Sequence, residues 1–169
     1  QIGMAIARRV GYGKKIIIGD KSFNNAKNIA DIMNNSGFDV EAIEMDISSR
    51  ESILNLISQA KKYGDITMLV NAAGVSPSQA SIETILKVDL YGTAVLLEEV
   101  GKVIKEGGVG VTISSQSGHR MPALSIEVDE QLAITPTEEL LKLEVLQSDN
   151  IKDTLHAYQM AKRCNVKRV

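Results

Sequence analysis

The 169-residue sequence has a single cysteine, little net charge and no long apolar run, and each shortage excludes a class of protein. One cysteine, Cys164, rules out an internal disulfide and a metal site built from several cysteines. No run approaches the roughly 18 apolar residues of a membrane-crossing helix, so no membrane segment is predicted. A net charge of −2 argues against a dedicated nucleic-acid binder. We expect no metal, no membrane and no nucleic acid among its partners.

The remaining composition is that of an ordinary globular protein. Apolar residues make up 44% of the sequence and charged residues 24%, which excludes a disordered or fibrous chain. The length fits one domain. No secretory leader is recognisable, so the expected location is the reducing cytoplasm.

The residue pattern at each end of the sequence is typical of a helix, so we expect the sequence to begin and end within secondary-structure elements. Residues 1–7 resemble the start of a helix, although the first residue is Gln1 and not Met, and residues 161–169 resemble a helix that continues. We therefore expect a fragment of a longer protein. Such a fragment would expose apolar sheet edges and is expected to be inactive alone.

Short β-branched runs alternate with amphipathic stretches along most of the chain. The predicted strands are residues 15–20, 38–45, 66–70 and 109–113. Helices are predicted between them, one opened by a capping box from Ser48 to Glu51 and another over residues 81–97. This order predicts an α/β fold: an incomplete, Rossmann-like, doubly wound parallel sheet.

Residues 119–157 interrupt this alternation. They hold eight acidic and three basic residues, a net charge of −5. Thr135-Pro136-Thr137-Glu138 is typical of a capping box with proline at the first helical position. We predict one partial domain over residues 1–169, with a helical insertion at about 119–157 between the fourth strand and the last helix.

The unusual residues follow the strands, where doubly wound sheets bind their ligands. They are Asp20, Asp46, Asn71-Ala72-Ala73-Gly74 and Ser114-Ser115. Tyr158 and Lys162 come next and share a helix face at a spacing of i, i+4. This order of motifs resembles the short-chain dehydrogenase/reductase family, over essentially the whole chain outside residues 119–157.

The resemblance implies an NAD(P)-binding site. Ile2 and Gly3 match the end of the family's glycine-rich loop, where the backbone approaches a pyrophosphate at a helix N-terminus. Asp20 can accept hydrogen bonds from both adenosine ribose hydroxyls and would repel a 2′-phosphate, which makes NADP the less favoured cofactor. The neighbouring Lys21 weakens that discrimination.

Two further groups of residues are implied to contact the cofactor. Asp46 and Ile47 match the family's pair beside the adenine ring, although simple helix capping by Asp46 stays open. The small Ala72, Ala73 and Gly74 let a cofactor lie against the backbone. Asn71 can bridge neighbouring strands.

The resemblance also implies the catalytic residues. Tyr158 would be the general acid for carbonyl reduction and the general base for alcohol oxidation, because the ammonium of Lys162 stabilises the phenolate. Lys162 would also hold the nicotinamide ribose. Ser115 would donate a hydrogen bond to the substrate oxygen, with Ser114 and Ser117 as alternatives.

Two departures from the family stand out. Asp89 occupies a position where the family usually has asparagine, whose amide helps to hold a water linked to the lysine; an aspartate cannot donate that bond and adds a charge near Lys162. Ser115 and Tyr158 are 43 positions apart, far more than is usual in the family. The extra segment is predicted to cover the substrate mouth or to alter a helix-mediated subunit contact.

The remaining ionisable residues receive ordinary roles. We expect His119 in a loop, His156 in a helix, Cys164 in a packing position, and a solvated basic end formed by Arg163, Lys167 and Arg168.

The leading hypothesis is therefore an oxidoreductase that moves a hydride between a nicotinamide cofactor and a small alcohol or ketone, as a homo-oligomer when full length. Two alternatives stay open. One is a non-catalytic NAD-binding sensor domain, and the other is an extended-type sugar-nucleotide epimerase or dehydratase, which also uses a YxxxK motif.

Overall fold

The computed structural model describes residues 2–169, so Gln1 of the expected helix start lies outside the described residues. The chain divides into two compact units. The first unit contains the residues up to Ala72 together with Glu99–Val111, and the second contains Ala73–Glu98 together with Thr112–Val169. Asp20 and Asp46 therefore belong to the first unit, and Tyr158 and Lys162 to the second.

The first unit has alternating helices and strands. Its elements are α1 (Ile2–Val10), β1 (Lys15–Asp20), α2 (Phe23–Asn34), β2 (Asp39–Glu44), α3 (Arg50–Lys61), β3 (Ile66–Asn71) and most of β4 (Ile104–Thr112). β1 and β2 are parallel, with Lys15 opposite Asp39 and Asp20 opposite Glu44. β3 pairs with β4, so the strands form two two-stranded sheets. The α/β, Rossmann-like class is confirmed, while β4 begins five residues earlier than predicted.

The helical periodicity of α2 places its apolar face against the first sheet. Ala30 and Met33 are buried with Val40 of β2. Asn34 fixes the connection between the two elements, since its side chain donates to the carbonyl of Val40 and accepts from the N–H of Val40. Gly37, with φ of 85°, provides the left-handed turn between them.

The N-terminus of α3 differs from the predicted capping box. Ser49, not Ser48, is the capping residue, because its side chain accepts from the backbone N–H of Ser52. Ser48 instead bonds the carboxylate of Asp46. Two adjacent serines offer the same chemistry, and the turn formed by Asp46 decides which of them caps the helix.

The second unit is helical. Its elements are α4 (Ile82–Ile85), a π-helical segment (Leu86–Gly92), most of α5 (Thr93–Gly101), α6 (Ser117–Arg120), α7 (Ile126–Ile134), two 3-10 helices (Thr137–Lys142 and Glu144–Leu146) and α8 (Thr154–Arg168). The predicted helix over residues 81–97 is confirmed, with Ser81 as its cap. Its middle turn is π-helical, a geometry that is frequent at functional sites.

Residues 119–157 contribute to the core of the second unit. Five buried apolar side chains of this segment pack with four of α8. Those of the segment are Met121, Leu132, Leu140, Leu146 and Ile151, and those of α8 are Ala157, Met160, Ala161 and Cys164. The capping box expected from Thr135 to Glu138 is wrong, because Thr135 ends α7 and Pro136 precedes a 3-10 helix without a side-chain cap. His119, expected in a loop, lies exposed in the short α6.

The basic end of the chain is not a solvated patch, which corrects the expectation from sequence. Arg163 makes a two-pronged contact with Asp129 of α7, through Nε at 3.1 Å and a terminal nitrogen at 2.8 Å. Lys167 lies 3.0 Å from the same carboxylate. Arg168 donates to the backbone carbonyls of Leu132 and Thr135, which lie at the C-terminus of α7. These bonds fasten α7 to α8.

A helix that crosses a membrane must be both long and apolar. None of the helices within residues 2–169 combines the necessary length with the necessary apolar character.

The contact between Asp129 and Arg163 predicts a stability change. Asp129→Asn should lower the free energy of unfolding at neutral pH by about 1–2 kcal/mol, since it removes a charge-assisted, bidentate bond. The hydrogen bond from Arg163 lowers the pKa of Asp129 from 3.8 to about 2. The stabilisation is therefore present above about pH 4 and is lost as the pH falls through 2.

Urea unfolding at neutral and acidic pH measures this effect. Glu139→Gln is the matched control, because Glu139 is exposed and pairs only across the surface with Lys142. Equal stability losses in the two variants at neutral pH would contradict the assignment.

Candidate active site

Helix α8 presents Tyr158 and Lys162 on one face. Asp153 caps the helix, with its carboxylate accepting from the N–H of His156 at 2.7 Å. Tyr158 is half-buried, whereas Lys162 is only 4% exposed. The Nζ of Lys162 lies 5.3 Å from the centroid of the Tyr158 ring. The predicted helix face shared by the two residues is confirmed, and it places a cation beside a tyrosine ring.

The backbone around Lys162 is fixed by the segment that follows β4. The hydroxyl of Ser114 donates to the carbonyl of Lys162 at 2.9 Å. The Nζ of Lys162 reaches the carbonyl of Ile113 at 3.4 Å. A Cβ on Gly118 would lie 2.8 Å from the backbone nitrogen of Arg163, so α6 can pack against α8 only with glycine at this position.

Asp89 projects from the π-helical segment toward Lys162. Its side chain is fully buried. Oδ1 accepts the backbone N–H of Val75 at 2.9 Å and lies 3.9 Å from the Nζ of Lys162. Oδ2 is buried and has no hydrogen-bond partner within the described residues 2–169. Asp89 and Lys162 therefore form a buried pair in which one carboxylate oxygen remains unsatisfied.

Burial shifts both members of this pair toward their neutral forms. It raises the pKa of Asp89, and the ammonium of Lys162 and the N–H of Val75 oppose that shift. It lowers the pKa of Lys162, and the charge of Asp89 opposes that shift. Desolvation is the larger effect on each group, since neither has enough hydrogen bonds to replace water.

Gly74 is needed next to this pair. A Cβ at Gly74 would lie 2.7 Å from Oδ1 of Asp89 and 3.4 Å from the Nζ of Lys162. The sequence predicts that the small residues of the Asn71–Gly74 motif leave room for the cofactor. The structure gives Gly74 a further reason, because a larger residue would displace the Asp89 carboxylate.

The three serines considered from sequence have different partners. The hydroxyl hydrogen of Ser114 is used by the carbonyl of Lys162. Ser115 accepts the N–H of Ser117 at 3.2 Å, a bond that leaves its own hydroxyl hydrogen available to donate. Ser117 is the first residue of α6. Of Ser114 and Ser115, Ser115 is therefore the one whose hydroxyl hydrogen is not already donated to a backbone carbonyl.

In the first unit, two carboxylates lie at the ends of neighbouring strands. Asp20 ends β1 and accepts the backbone N–H of Ser22 at 2.8 Å. Asp46 follows β2 and accepts the N–H and the hydroxyl of Ser48, and its other oxygen lies 2.7 Å from the Nζ of Lys21. Burial opposes ionisation of Asp46, but the bonds from Lys21 and Ser48 outweigh it and lower the pKa of this carboxyl.

The start of α1 fits a dinucleotide phosphate. The first turn of this nine-residue helix carries no acidic residue, and Ile2 is exposed there. A Cβ on Gly3 would lie 3.2 Å from the Cβ of Ala72, so the glycine keeps the helix close to the end of β3. Together with the carboxylate of Asp20, these features fit the phosphate and ribose of a dinucleotide.

The remaining candidate residues from the sequence lie in both units, and most of them are buried. Ile47 and Asn71 are buried in the first unit, at 5% and 3% exposure. Ala73 lies in the second unit. Cys164 is fully buried in the core, and burial raises the pKa of its thiol to about 12, so it cannot act as a nucleophile near neutral pH.

Sequence reasoning missed the backbone groups of this site. The N–H of Val75 and the carbonyl of Ile113 hold Asp89 and Lys162, but main-chain donors and acceptors have no signature in side-chain identity. The ion pair between Lys21 and Asp46 was also missed, although a cation beside an acid-ended strand was a usable signal. Within residues 2–169, no three His, Cys, Asp or Glu side chains form a group that could hold a metal ion.

Comparison with known proteins decides the family. A family model described as short chain dehydrogenase matches residues 1–126. The chain belongs to the short-chain dehydrogenase family. The matched range of this short-chain dehydrogenase includes Asp20, Asp89 and Ser115 and ends before α8.

Three similar proteins extend this result. A short-chain dehydrogenase/reductase of Alternaria brassicicola is 37% identical over 169 residues, which is 99% of this chain and 61% of the relative. A short chain dehydrogenase from Mycobacterium smegmatis is 27% identical with a TM-score of 0.63, over 72% of this chain and 56% of that chain. A 3-ketoacyl-ACP reductase from Sinorhizobium meliloti shares the fold at 19% identity and a TM-score of 0.68, over 98% and 58%. The chain thus spans less than two thirds of the length of these relatives.

The close packing at Gly74 of this short-chain dehydrogenase gives a second testable prediction. Gly74→Ala should lower the free energy of unfolding by about 1–3 kcal/mol, because the added methyl group overlaps the Asp89 carboxylate. The same substitution should be less costly in an Asp89→Ala background, where the obstructing carboxylate is gone.

Chemical denaturation of the four proteins in this double-mutant cycle measures the coupling. Gly101→Ala is the control, because nothing lies within 4 Å of the methyl group that it adds. An equal cost of Gly74→Ala in both backgrounds would show that Asp89 is not the obstacle.

Proposed function

We propose that the whole protein is an NAD-dependent oxidoreductase that interconverts a carbonyl and an alcohol, with Tyr158 exchanging the proton. The observation that carries this proposal is the geometry of α8, in which a buried lysine lies 5.3 Å from the ring of a half-buried tyrosine. Membership of a family of hydride-transferring enzymes supports the same reaction type.

Each side chain has one role in this reaction. The bound nicotinamide would supply or accept the hydride. Tyr158 gives its hydroxyl proton to the substrate oxygen during reduction and takes it back during oxidation. Lys162 lies beside the ring, where its donors can also hold the nicotinamide ribose. Because Ser114 and Gly118 fix the backbone at Lys162, the position of the ammonium is set before any ligand binds.

Ser115 is the proposed donor to the substrate oxygen. Its hydroxyl accepts the N–H of Ser117, which orients the oxygen and leaves the hydrogen available. A donor aimed at the substrate oxygen stabilises the negative charge that develops there. Ser114 is a poorer candidate, because its hydroxyl bonds the carbonyl of Lys162.

NAD is the proposed cofactor. The carboxylate of Asp20 lies at the end of β1, where it can accept from ribose hydroxyls and would repel a 2′-phosphate. Lys21, the cation that could attract a 2′-phosphate, is bonded to Asp46. Lys21 is exposed and Asp46 only partly buried, so their ion pair adds little free energy, and Asp20 carries most of the expected cofactor preference. The carboxylate of Asp46 keeps accepting capacity for the adenine amino group, with Ile47 buried behind it.

The substrate that we propose is a small alcohol or ketone. The net charge of −2 supports a small-molecule substrate in preference to nucleic acid. A cytoplasmic location and a homo-oligomeric full-length enzyme complete the proposal, and the single buried cysteine is compatible with a reducing compartment.

Replacement of the tyrosine tests the reaction. Tyr158→Phe in the whole protein should lower kcat at least 100-fold against a panel of alcohols and ketones, because it removes the general acid–base group, whose usual contribution is about 10²–10⁴-fold. Binding of NADH, followed by nicotinamide fluorescence, should change little. Tyr12→Phe is the control, since Tyr12 is 81% exposed.

The outcomes separate the candidate functions. Full turnover in Tyr158→Phe would overturn the proposed proton exchange. NADH binding without turnover of any substrate by the unmodified protein would favour a non-catalytic sensor domain.

The cofactor preference has its own test. Asp20→Ala should shift the ratio of kcat/KM values for NADP and NAD toward NADP by roughly tenfold or more, because it removes a carboxylate that repels the 2′-phosphate at short range. Asp31→Asn is the matched control, since Asp31 lies on the exposed face of α2 and pairs with Lys27. A ratio that does not change in Asp20→Ala would remove Asp20 from cofactor selection.

A further inference from the structure

We propose that Asp89 and Lys162 act as one buried pair without net charge, and that Asp89 thereby makes Tyr158 hold its proton more firmly. This inference rests on the proposed function, because it concerns the proton that Tyr158 exchanges with the substrate. It assigns Asp89 as a positioning and charge-balancing residue. The substrate contacts stay with Tyr158 and Ser115.

The first support is the arrangement of the three groups. The Nζ of Lys162 lies 5.3 Å from the Tyr158 ring centroid and 3.9 Å from Oδ1 of Asp89. The two charged side chains are 4% and 0% exposed, so solvent screens their interactions very little. A carboxylate this close to the ammonium cancels much of the positive field that would otherwise stabilise a phenolate at Tyr158.

The second support is the unsatisfied oxygen of Asp89. Oδ2 is buried and finds no partner in the described part of the chain, residues 2–169. An ionised carboxylate with a bare, buried oxygen is costly, so the site favours a proton shared within the pair. The net charge of the two side chains is zero whether the shared proton lies on Lys162 or on Asp89. The cancellation therefore does not depend on which atom holds the proton.

The comparison with an amide makes the consequence explicit. An asparagine at position 89 could accept the same N–H from Val75, but it would carry no charge. Whenever Lys162 is protonated, it would then be a lone buried cation beside Tyr158. Aspartate and asparagine have nearly the same shape, so the two residues differ here by one charge and by the hydrogen bond that the amide can donate.

The other charged groups around α8 are paired away from this site or exposed. Asp129 of α7 holds Arg163 and Lys167, and Arg168 donates to carbonyls at the end of α7. At the start of α8, Asp153 accepts from the backbone of His156. On α6, His119 and Arg120 are exposed. In the π-helical segment, the hydroxyl of Tyr91 donates to Glu138. The charge of Lys162 affects the pKa of Asp89, and the charge of Asp89 affects the pKa of Lys162.

Titration of the tyrosine without ligands tests the inference. Phenolate absorbance is followed against pH in the whole protein and in Asp89→Asn. Each titration is corrected with the matching Tyr158→Phe variant, because the sequence has four tyrosines. We expect the Tyr158 phenolate of Asp89→Asn to appear at a pH lower by about one unit or more, since an opposite charge nearby shifts a titration by that order.

Two controls keep the result interpretable. Asp149→Asn removes an exposed carboxylate from the same unit and should leave the titration unchanged. Asp89→Ser is a second neutral replacement, with a hydroxyl in place of the carboxylate, and it answers the question if Asp89→Asn fails to fold. A midpoint that is unchanged or raised in a folded neutral variant would overturn the inference.

The pH dependence of turnover separates this inference from the proposed function. A lowered titration midpoint in a protein without dehydrogenase activity would support the charge-balanced pair and refute the proposed reaction. In an active enzyme, the rate of alcohol oxidation should rise at lower pH in Asp89→Asn than in the unmodified protein. An unshifted oxidation profile together with an unshifted midpoint would refute the pair alone.

Discussion

The burial of the Lys162 ammonium is the constraint on which the second unit depends. A lysine that is 4% exposed must find its partners in the protein, and each of its neighbours is arranged accordingly. Asp89 supplies the opposite charge, Ile113 supplies a carbonyl, and Gly74 leaves the space that the Asp89 carboxylate occupies. The π-helical turn at Leu86–Gly92 belongs to the same arrangement, because it carries Asp89.

Residues 119–157 also support α8. Five apolar side chains of this segment are buried with the core residues of α8, and Asp129 bonds Arg163, the residue that directly follows Lys162. A segment that departs from the family's usual spacing is therefore built into the support of α8. This packing explains how a long excursion can coexist with a precise site, since the added residues bring their own apolar and ionic partners.

Much of the fold could be predicted from sequence, because strands and helices follow local patterns. The β-branched run of residues 15–20 and the apolar repeat of α2 each match the structure closely. Helix caps were less certain, since Ser48 and Ser49 are chemically equivalent and the local turn at Asp46 decides which of them caps α3. The ion pair of Arg163 could not be predicted from sequence, because its partner Asp129 lies 34 positions earlier on a different helix.

The same division applies to the candidate site. The spacing of Tyr158 and Lys162 places them on one helix face, and this follows from helix geometry alone. The unsatisfied oxygen of Asp89 and the clash that a Cβ at Gly74 would cause depend on packing between segments distant in sequence. Such contacts appear only when the whole chain is folded, and they are the features that distinguish this site from a generic tyrosine–lysine pair.

Under the proposed function, an aspartate in place of an asparagine at position 89 affects the protonation of Tyr158. A tyrosine beside a charge-balanced pair keeps its proton over a wider pH range than a tyrosine beside a lone cation. Reduction of a carbonyl begins with a protonated tyrosine, whereas oxidation of an alcohol needs a tyrosine able to accept a proton. Under the proposed function and the proposed charge balance, Asp89 would therefore keep Tyr158 in the protonated form from which a carbonyl reduction starts.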